Sequence, residues 1–395
     1  MKANIYKVKA YTNEIIRRKF SKIKDLRIKG MVEHPLVDLL IIIMLGVMCG
    51  LEKSEQIVIY AKNKRSFLSQ VFGIKKIPSY ITLDRTLDMV DGGEVSEVII
   101  EIMKMKILKL GDIIAVDGKS IRSTIPEGKR NAALQILTAY FVESGVVLGQ
   151  KYVDEKTNEI PVFQEMLLYL DIKGKTITAD AMHCQKDTCE MIVARGGNYV
   201  FGLKGNHKLL KNDVAEFFAD PENIGKIEVF EPPVEKGSGR VTRRIFYRAL
   251  DVMAFDGAES WKGVKTIFAV RRIVTTKHGV SDEICYYISS LDSRPESLLA
   301  VVRDHWKIES LNFAQFRLRT EQAEVQYMHW LLDVVFSEDD HVTSSENAHK
   351  TLNILRKFAL LLHRTYIKEH NLRISLNNFM LDCLTNDELI LKLCS

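Results

Sequence analysis

Over the first hundred residues apolar positions recur at helical spacing, broken by Gly50, Gly73 and Pro78. This predicts an all-α segment over residues 1–105. In "PSYITLDRTLDMV" Ser79 is placed to cap a helix whose Thr82, Leu83, Leu87 and Val90 fall near one face. The most apolar run, "LLIIIMLGVMCGL" at residues 39–51, has 13 residues. A bilayer needs about 20, so the run reads as a buried helix. It lies inside the chain behind Asp38 and a basic segment, unlike a signal peptide.

The pattern changes at Gly111. "DIIAVDGKS" reads as a strand ending on Asp117, with Gly118, Lys119 and Ser120 as a tight turn at its mouth. "ALQILTAYFVESGVVLGQKYV" reads as two strands joined at Ser144-Gly145. "NEIPVFQEMLLYLDI" reads as a helix with Val162, Met166 and Tyr169 facing a core. In "KTITADAMH", a short strand, Ile177 and Ala179 alternate with polar residues ahead of Asp180. A helix stopped by Gly196-Gly197, the strand "NYVFGLKG" and the helix "HKLLKNDVAEFF" follow. The order predicts an α/β layer with a mixed sheet, antiparallel at first and parallel afterwards. Residues 225–295 read as a β-rich insertion. Helical spacing returns from about 297, as at Leu352, Leu355, Ala359 and Leu362.

Composition narrows the class. The 395 residues, 46% hydrophobic and 27% charged, suit a soluble globular protein of two or three domains. Six scattered cysteines form no disulfide framework and point to a reducing cytosol. Cys184 and Cys189 beside His183 lack the further ligands that zinc requires. The net charge of +5 is unevenly spread: residues 1–30 carry ten Lys or Arg and two acids, so the remainder sums to −3. A basic arm fits a polyanionic partner or a solvated helix, and charge alone does not separate the two.

The candidate chemistry lies where two strands end on aspartates, Asp117 and Asp180. In an open sheet ligands gather at the carboxyl ends of parallel strands. Two carboxylates there repel unless a cation intervenes, and a hard ion such as Mg²⁺ prefers oxygen donors. A pair of such ions suits in-line phosphoryl chemistry. The pattern also leaves open that each aspartate only caps its turn, or that Asp117 pairs with Lys119.

Longer stretches narrow these alternatives. "VVLGQKYVDEKTNEI", "KGKTITADAMHCQKDTCEMIVARGGNYVFGLKGNH", "EKGSGRVTRRIFYRALDV", the apolar N-terminal stretch and the tail "HWLLDVVFSEDD" with "NAHKTLNILRKFALLL" resemble the H-repeat or Rhs-associated insertion-sequence transposases. The likeness runs in consistent order over roughly residues 20–365. It implies an RNase H-like core with an Asp, Asp, Glu triad and two Mg²⁺ ions, for which Mn²⁺ can substitute. Asp117 matches the first aspartate, in "DGK". Asp180 matches the second, in "DAM-x-CQ". Glu309 matches the glutamate, in "RDHWKIE". On a helix Trp306 and Glu309 share a face, so Trp306 can anchor it while Glu309 faces the metals.

The expected architecture is therefore a helical N-terminal domain (1–105), an RNase H-like catalytic domain (106–365) with the insertion, and a helical tail (366–395). The expected function is Mg²⁺-dependent cleavage at element ends followed by strand transfer. The alternatives are a catalytically decayed DNA-binding derivative and a nuclease that cuts without joining. The expected partners are terminal inverted repeats and target DNA, with a dimer on DNA by analogy and no membrane. The expected setting is the bacterial cytoplasm at the nucleoid. Lys119, Lys204, Arg240, Arg243, Arg244 and His305 are the expected DNA contacts, and Arg248 extends the same basic edge. The chain departs from the family at the segment "SLNFAQFRLRTEQAEVQYM" after Glu309, which offers Glu324 as a rival carboxylate. Further departures are "EDDHVTSSENA", which lacks the basic residues the family usually carries after "ED", Gln135, where the family tends to carry His, and His183, where a small residue is usual.

Overall fold

The computed structural model describes residues 14–106, 111–124, 133–153, 158–237, 239–309, 328–340 and 345–394, with the side chains of Lys29, Arg122, residues 306–309 and Trp330 left aside. The chain divides into two compact units. One gathers Met1–Leu108, Ser120–Gln135 and Trp330–Ser395, the other Lys109–Lys119 and Ile136–His329.

The first unit is helical: α1 (Leu36–Met48), α2 (Ser54–Asn63), α3 (Arg65–Phe72), α4 (Tyr80–Met89) and α5 (Gly92–Lys106). The apolar run forms α1, in which every residue from Leu39 to Met48 is buried. Ser79 caps α4, its Oγ accepting from the Thr82 amide at 3.2 Å.

The chain's last helices, α11 (Glu346–Glu369), α12 (Leu376–Thr385) and α13 (Asp387–Cys394), belong to this unit. Residues 345–394, which the sequence boundaries divide between a catalytic domain and a tail, here join the N-terminal helices. α11 packs on α5, α1 and α4. The crossing with α5 depends on Gly92, where a Cβ would stand 2.9 Å from the Asn347 carbonyl oxygen. Glu338, fully buried, accepts from Asn353 Nδ2 at 2.8 Å and lies 3.7 Å from the Arg356 guanidinium.

The second unit is built on a sheet of ten strands in the order β3-β2-β1-β4-β5-β10-β9-β8-β6, with β7 paired to β8. Its first half comprises β1 (Ile113–Ile121), β2 (Leu134–Phe141), β3 (Val147–Val153), β4 (Thr176–Ala179) and β5 (Asn198–Leu203). β4 runs parallel to both β1 and β5. This order is RNase H-like, as the resemblance implies. Strands β6 (Ile227–Phe230), β7 (Glu235–Gly237), β8 (Arg240–Ala249), β9 (Thr266–Thr276) and β10 (Gly279–Ser289) make up the β-rich insertion. They continue the same sheet, because β10 pairs antiparallel with β5.

Helices α6 (Glu159–Tyr169), α7 (Lys186–Ala194) and α8 (Lys208–Ala219) cover one face. There Phe163, Leu167, Ile192 and Val214 pack on Ile114, Val116, Ile177, Ala179, Tyr199 and Phe201. α9 (Pro295–Glu309) covers the other, its Leu298, Leu299, Val301 and Val302 packing with Val200, Phe268 and Tyr287.

Three local readings change. β1 does not turn after Asp117 but stays extended to Ile121, since β2 flanks it on the side away from β4. On α6 Met166 is buried and Val162 packs partly on the core as predicted, but Tyr169 is 73% exposed and Phe163 and Leu167 complete the buried face in its place. In β4 the threonines are buried like the apolar residues, because helices cover both faces of the sheet.

Candidate active site

Register brings the two aspartates together. β1 and β4 pair in parallel from Ile113↔Thr176 to Val116↔Ala179, so Asp117 and Asp180 are the next residues on neighbouring chains. Alternation along the strands fixes their face. Ile114, Val116, Ile177 and Ala179 face the α6–α8 layer. Ile113, Ala115 and Asp117 therefore face the α9 side, as do Thr176, Thr178 and Asp180. α9 ends at Glu309 on that same side of the sheet. The Glu309 and Trp306 side chains lie outside the described residues, as do the rival Glu324 and the segment 310–327. Among the described residues no group of three His, Cys, Asp or Glu side chains stands at metal-binding spacing.

Asp117 is nearly buried, and Asp180 is about two-fifths exposed. A buried imidazole stands beside the first. His329, at the start of α10 (Met328–Phe336), places Nε2 3.2 Å from Asp117 Oδ2 with its side chain 4% exposed. The only hint of it in the sequence is the "HW" pair resembling the family's tail, which carries no chemistry by pattern. Asp180 has Lys204 Nζ at 4.0 Å from Oδ1, on a side chain 70% exposed. Lys204 follows β5, the strand beside β4, so the same parallel ladder that juxtaposes the aspartates delivers this cation.

A third carboxylate reaches the mouth from α6. Glu159 lies in its first turn, and a Cβ on Gly118 would stand 2.8 Å from Glu159 Oε2. His183 of the "DAMH" turn is buried, its ring 4.7 Å from Phe163 and its Nε2 3.6 Å from Glu159 Oε2. Cys184 and Cys189 are fully buried, and burial pushes the Cys189 thiol up to about 12, which keeps it protonated.

Among the other expected contacts, Lys119 lies two residues beyond Asp117 on the same strand and face. His305 lies one helical turn before Glu309 on α9 and is partly buried. Arg240 opens β8, partly exposed. Two arginines of that strand already hold carboxylates. Arg243 bonds Glu231, whose pKa it lowers through that hydrogen bond, and Arg244 donates to Glu235 at 2.7 Å. Arg248 donates to the Ser293 carbonyl at 3.0 Å. These arginines sit in the insertion strands, away from the β1–β4 mouth along the sheet order.

Comparison with known proteins agrees with this layout. A family profile described as "Transposase DDE domain" matches residues 109–332, and one described as "DDE_Tnp_1-associated" matches residues 17–103. The "H repeat-associated putative transposase YhhI" of Escherichia coli K12 is 32% identical over 348 residues, 86% of this chain and 88% of the relative. The "Putative transposase YncI" of Escherichia coli O157:H7 is 32% identical over 355 residues, 87% of this chain and 86% of the relative. A piggyBac transposase synaptic complex with hairpin DNA shares 11% identity at a TM-score of 0.38, over 96% of this chain and 78% of that one, too loose a likeness to weigh. The profile spans the sheet, both aspartates, α9 and His329, and on that match and the two relatives the chain belongs to the DDE transposase family.

Proposed function

We propose that this transposase cuts DNA at the ends of its own insertion sequence and transfers the freed strand to a target, using divalent metal held by Asp117, Asp180 and Glu309. The observation that carries the reading is the juxtaposition of Asp117 and Asp180 one step beyond the Val116↔Ala179 pair, on the sheet face covered by α9. The donor set fits a hard ion. Asp117, Asp180 and Glu309 are all carboxylates, and an exposed lysine stands 4.0 Å from Asp180. When bound, Mg²⁺ or Mn²⁺ supplies activation of the attacking hydroxyl and charge stabilisation in the in-line displacement.

The chain's own residues do the rest. Asp117 and Asp180 offer oxygen ligands from a rigid parallel ladder, and His329 packs against Asp117 and limits its rotation. Lys204, beside Asp180 and largely exposed, is placed to hold a DNA phosphate next to the reacting one. Lys119 and His305 add contacts on the same face. Arg240, Arg243 and Arg244 position DNA along the insertion strands, where phosphates exchange with the present carboxylate partners of Arg243 and Arg244. DNA ends, target DNA and a dimer that holds two ends together are the partners of this reading, and the nucleoid is its setting. Among the described residues no helix is long and apolar enough to cross a membrane.

The test uses a labelled element end with Mg²⁺. Wild-type protein nicks the end and yields joined products, and Asp117→Ala and Asp180→Ala yield neither. Cleavage that persists in either variant overturns the assignment. Cleavage without joining indicates the nuclease reading, and end-binding without cleavage in Mg²⁺ or Mn²⁺ indicates a decayed enzyme.

A further inference from the structure

We infer that Asn206 and His207 are positioning residues for Asp180: from the turn that follows Lys204 they clamp the backbone of the turn that follows Asp180. The inference rests on the site reading above and extends it to two residues that act through the backbone.

Asp180 needs such support. β4 is four residues long, and its pairing with both β1 and β5 ends at Ala179. Asp180 is the first residue beyond that register, and the chain then turns tightly through Ala181–His183. Within the turn the His183 amide donates to the Asp180 carbonyl at 2.9 Å, and the Cys184 amide to that of Ala181 at 3.1 Å. The Asp180 carboxylate does not cap the turn. The turn is therefore held by groups other than the side chain the chemistry needs.

Those groups come from "GLKGNH", at the end of β5. After Lys204, Gly205–His207 form a single 3₁₀ turn, closed by the His207 amide donating to the Lys204 carbonyl at 3.2 Å. Asn206 Nδ2 donates to the Ala181 carbonyl at 2.8 Å and lies 3.5 Å from that of Cys184. His207 Nε2 bonds the Cys184 carbonyl. A carbonyl oxygen only accepts, so Nε2 carries the proton. Two adjacent side chains thus grip both ends of residues 181–184. The His207 ring is itself fixed, meeting the buried Trp261 edge to face with centroids 4.8 Å apart. Trp261 belongs to the connection between β8 and β9, so the insertion supports the site through this ring pair. The same short turn follows Lys204, whose Nζ is 4.0 Å from Asp180 Oδ1, so one unit fixes the aspartate and its lysine together.

The clamp bears on chemistry more than on folding. A misplacement of about 1 Å at a reacting group costs roughly 100-fold in rate. Asn206 is exposed, so its loss empties no core space.

The test uses the full-length protein and two readouts. Hydrogen–deuterium exchange in EDTA follows the His183 and Cys184 amides. Nicking of a labelled element end at saturating Mg²⁺ follows the site, with end-binding and thermal melts measured alongside. Asn206→Ala removes one donor, and His207→Phe removes the other while keeping a ring against Trp261. Each is expected to speed exchange at 183 and 184 about three- to tenfold, the worth of one hydrogen bond. Each is expected to lower the maximal nicking rate about 10- to 100-fold, with end-binding unchanged and the protein still folded. His207→Gln, which restores a donor of similar reach, is expected to recover both readouts. Exchange at the wild-type rate in Asn206→Ala and His207→Phe overturns the clamp. Faster exchange with wild-type nicking, or a loss of nicking that His207→Gln does not recover, overturns the positioning role. Asp180→Asn separates these failures from that of the site. If it nicks as wild type does, the site reading fails and the inference with it. If it is inactive while the clamp variants nick normally, the site reading stands and the positioning role alone is lost.

Discussion

Asp117→Asn should stabilise the metal-free protein while abolishing its chemistry. Val116 and Ala179 are partners on adjacent parallel strands, and each is followed by an aspartate. Neighbouring strands lie about 4.8 Å apart, so the two carboxylates face each other at roughly 5 Å. At an effective dielectric near 20 two like charges at that distance repel by about 3 kcal/mol. Lys204 offsets little of this, since it is 70% exposed and 4.0 Å from Asp180. A net gain of about 1–3 kcal/mol follows for the neutral variant. The assay is urea unfolding in EDTA, repeated with Mg²⁺. Wild type should gain about 2.7 kcal/mol once the ion reaches a hundredfold excess over its dissociation constant, whereas Asp117→Asn should gain far less. A variant that is less stable than wild type in EDTA and gains as much from Mg²⁺ would refute both the juxtaposition and the metal reading.

Further outcomes follow from other parts of the chain. Replacing Arg356 by Met leaves the fully buried Glu338 without its guanidinium and should cost about 3–5 kcal/mol in denaturant unfolding, whereas Glu338→Gln with Arg356→Met together should recover most of it. Gly92→Ala drives a Cβ to 2.9 Å from the Asn347 carbonyl oxygen and should lower stability by about 1–3 kcal/mol, read as a drop in melting temperature. His363 is buried against Phe379, and desolvation depresses its folded pKa to about 4 from 6.5. The folded state then binds fewer protons than the unfolded one, so this stability is full above pH 6.5 and is lost as pH falls toward 4. His363→Leu should flatten that part of the stability–pH curve, and an unchanged curve would contradict the burial. His329→Ala should lower cleavage about 10- to 100-fold by freeing Asp117, with His329→Gln intermediate, measured as the Mg²⁺ concentration for half-maximal nicking.

Periodicity, caps and breakers are local, and they specified most of the elements here. The buried helix at 39–51, the cap at Ser79, the hairpin turning at Ser144-Gly145 and the stop at Gly196 all follow from residues within a turn or two of one another. Asp117 and Asp180 were legible because each directly follows an apolar strand, and family likeness supplied their pairing. The outward turn of Tyr169 on α6 was not legible, because Leu167 competes with it for the core and only the facing sheet selects between them, whereas Met166 packs inward as its spacing predicts.

Tertiary structure decided what sequence spacing cannot encode. Register set Asp117 beside Asp180 across some sixty residues of chain, and pleating gave both to the α9 face. Pairing between β10 and β5 turned the insertion into a continuation of the catalytic sheet. Gly118 read as a turn residue from its neighbours alone. Only the fold showed that β1 runs extended through it and that the Glu159 carboxylate of α6 lies against it. His329, more than two hundred residues from Asp117, reached it the same way. A sequence carries the local cost of each residue, whereas contacts between distant residues arise from burying shared apolar surface, and that surface exists only once the chain has folded.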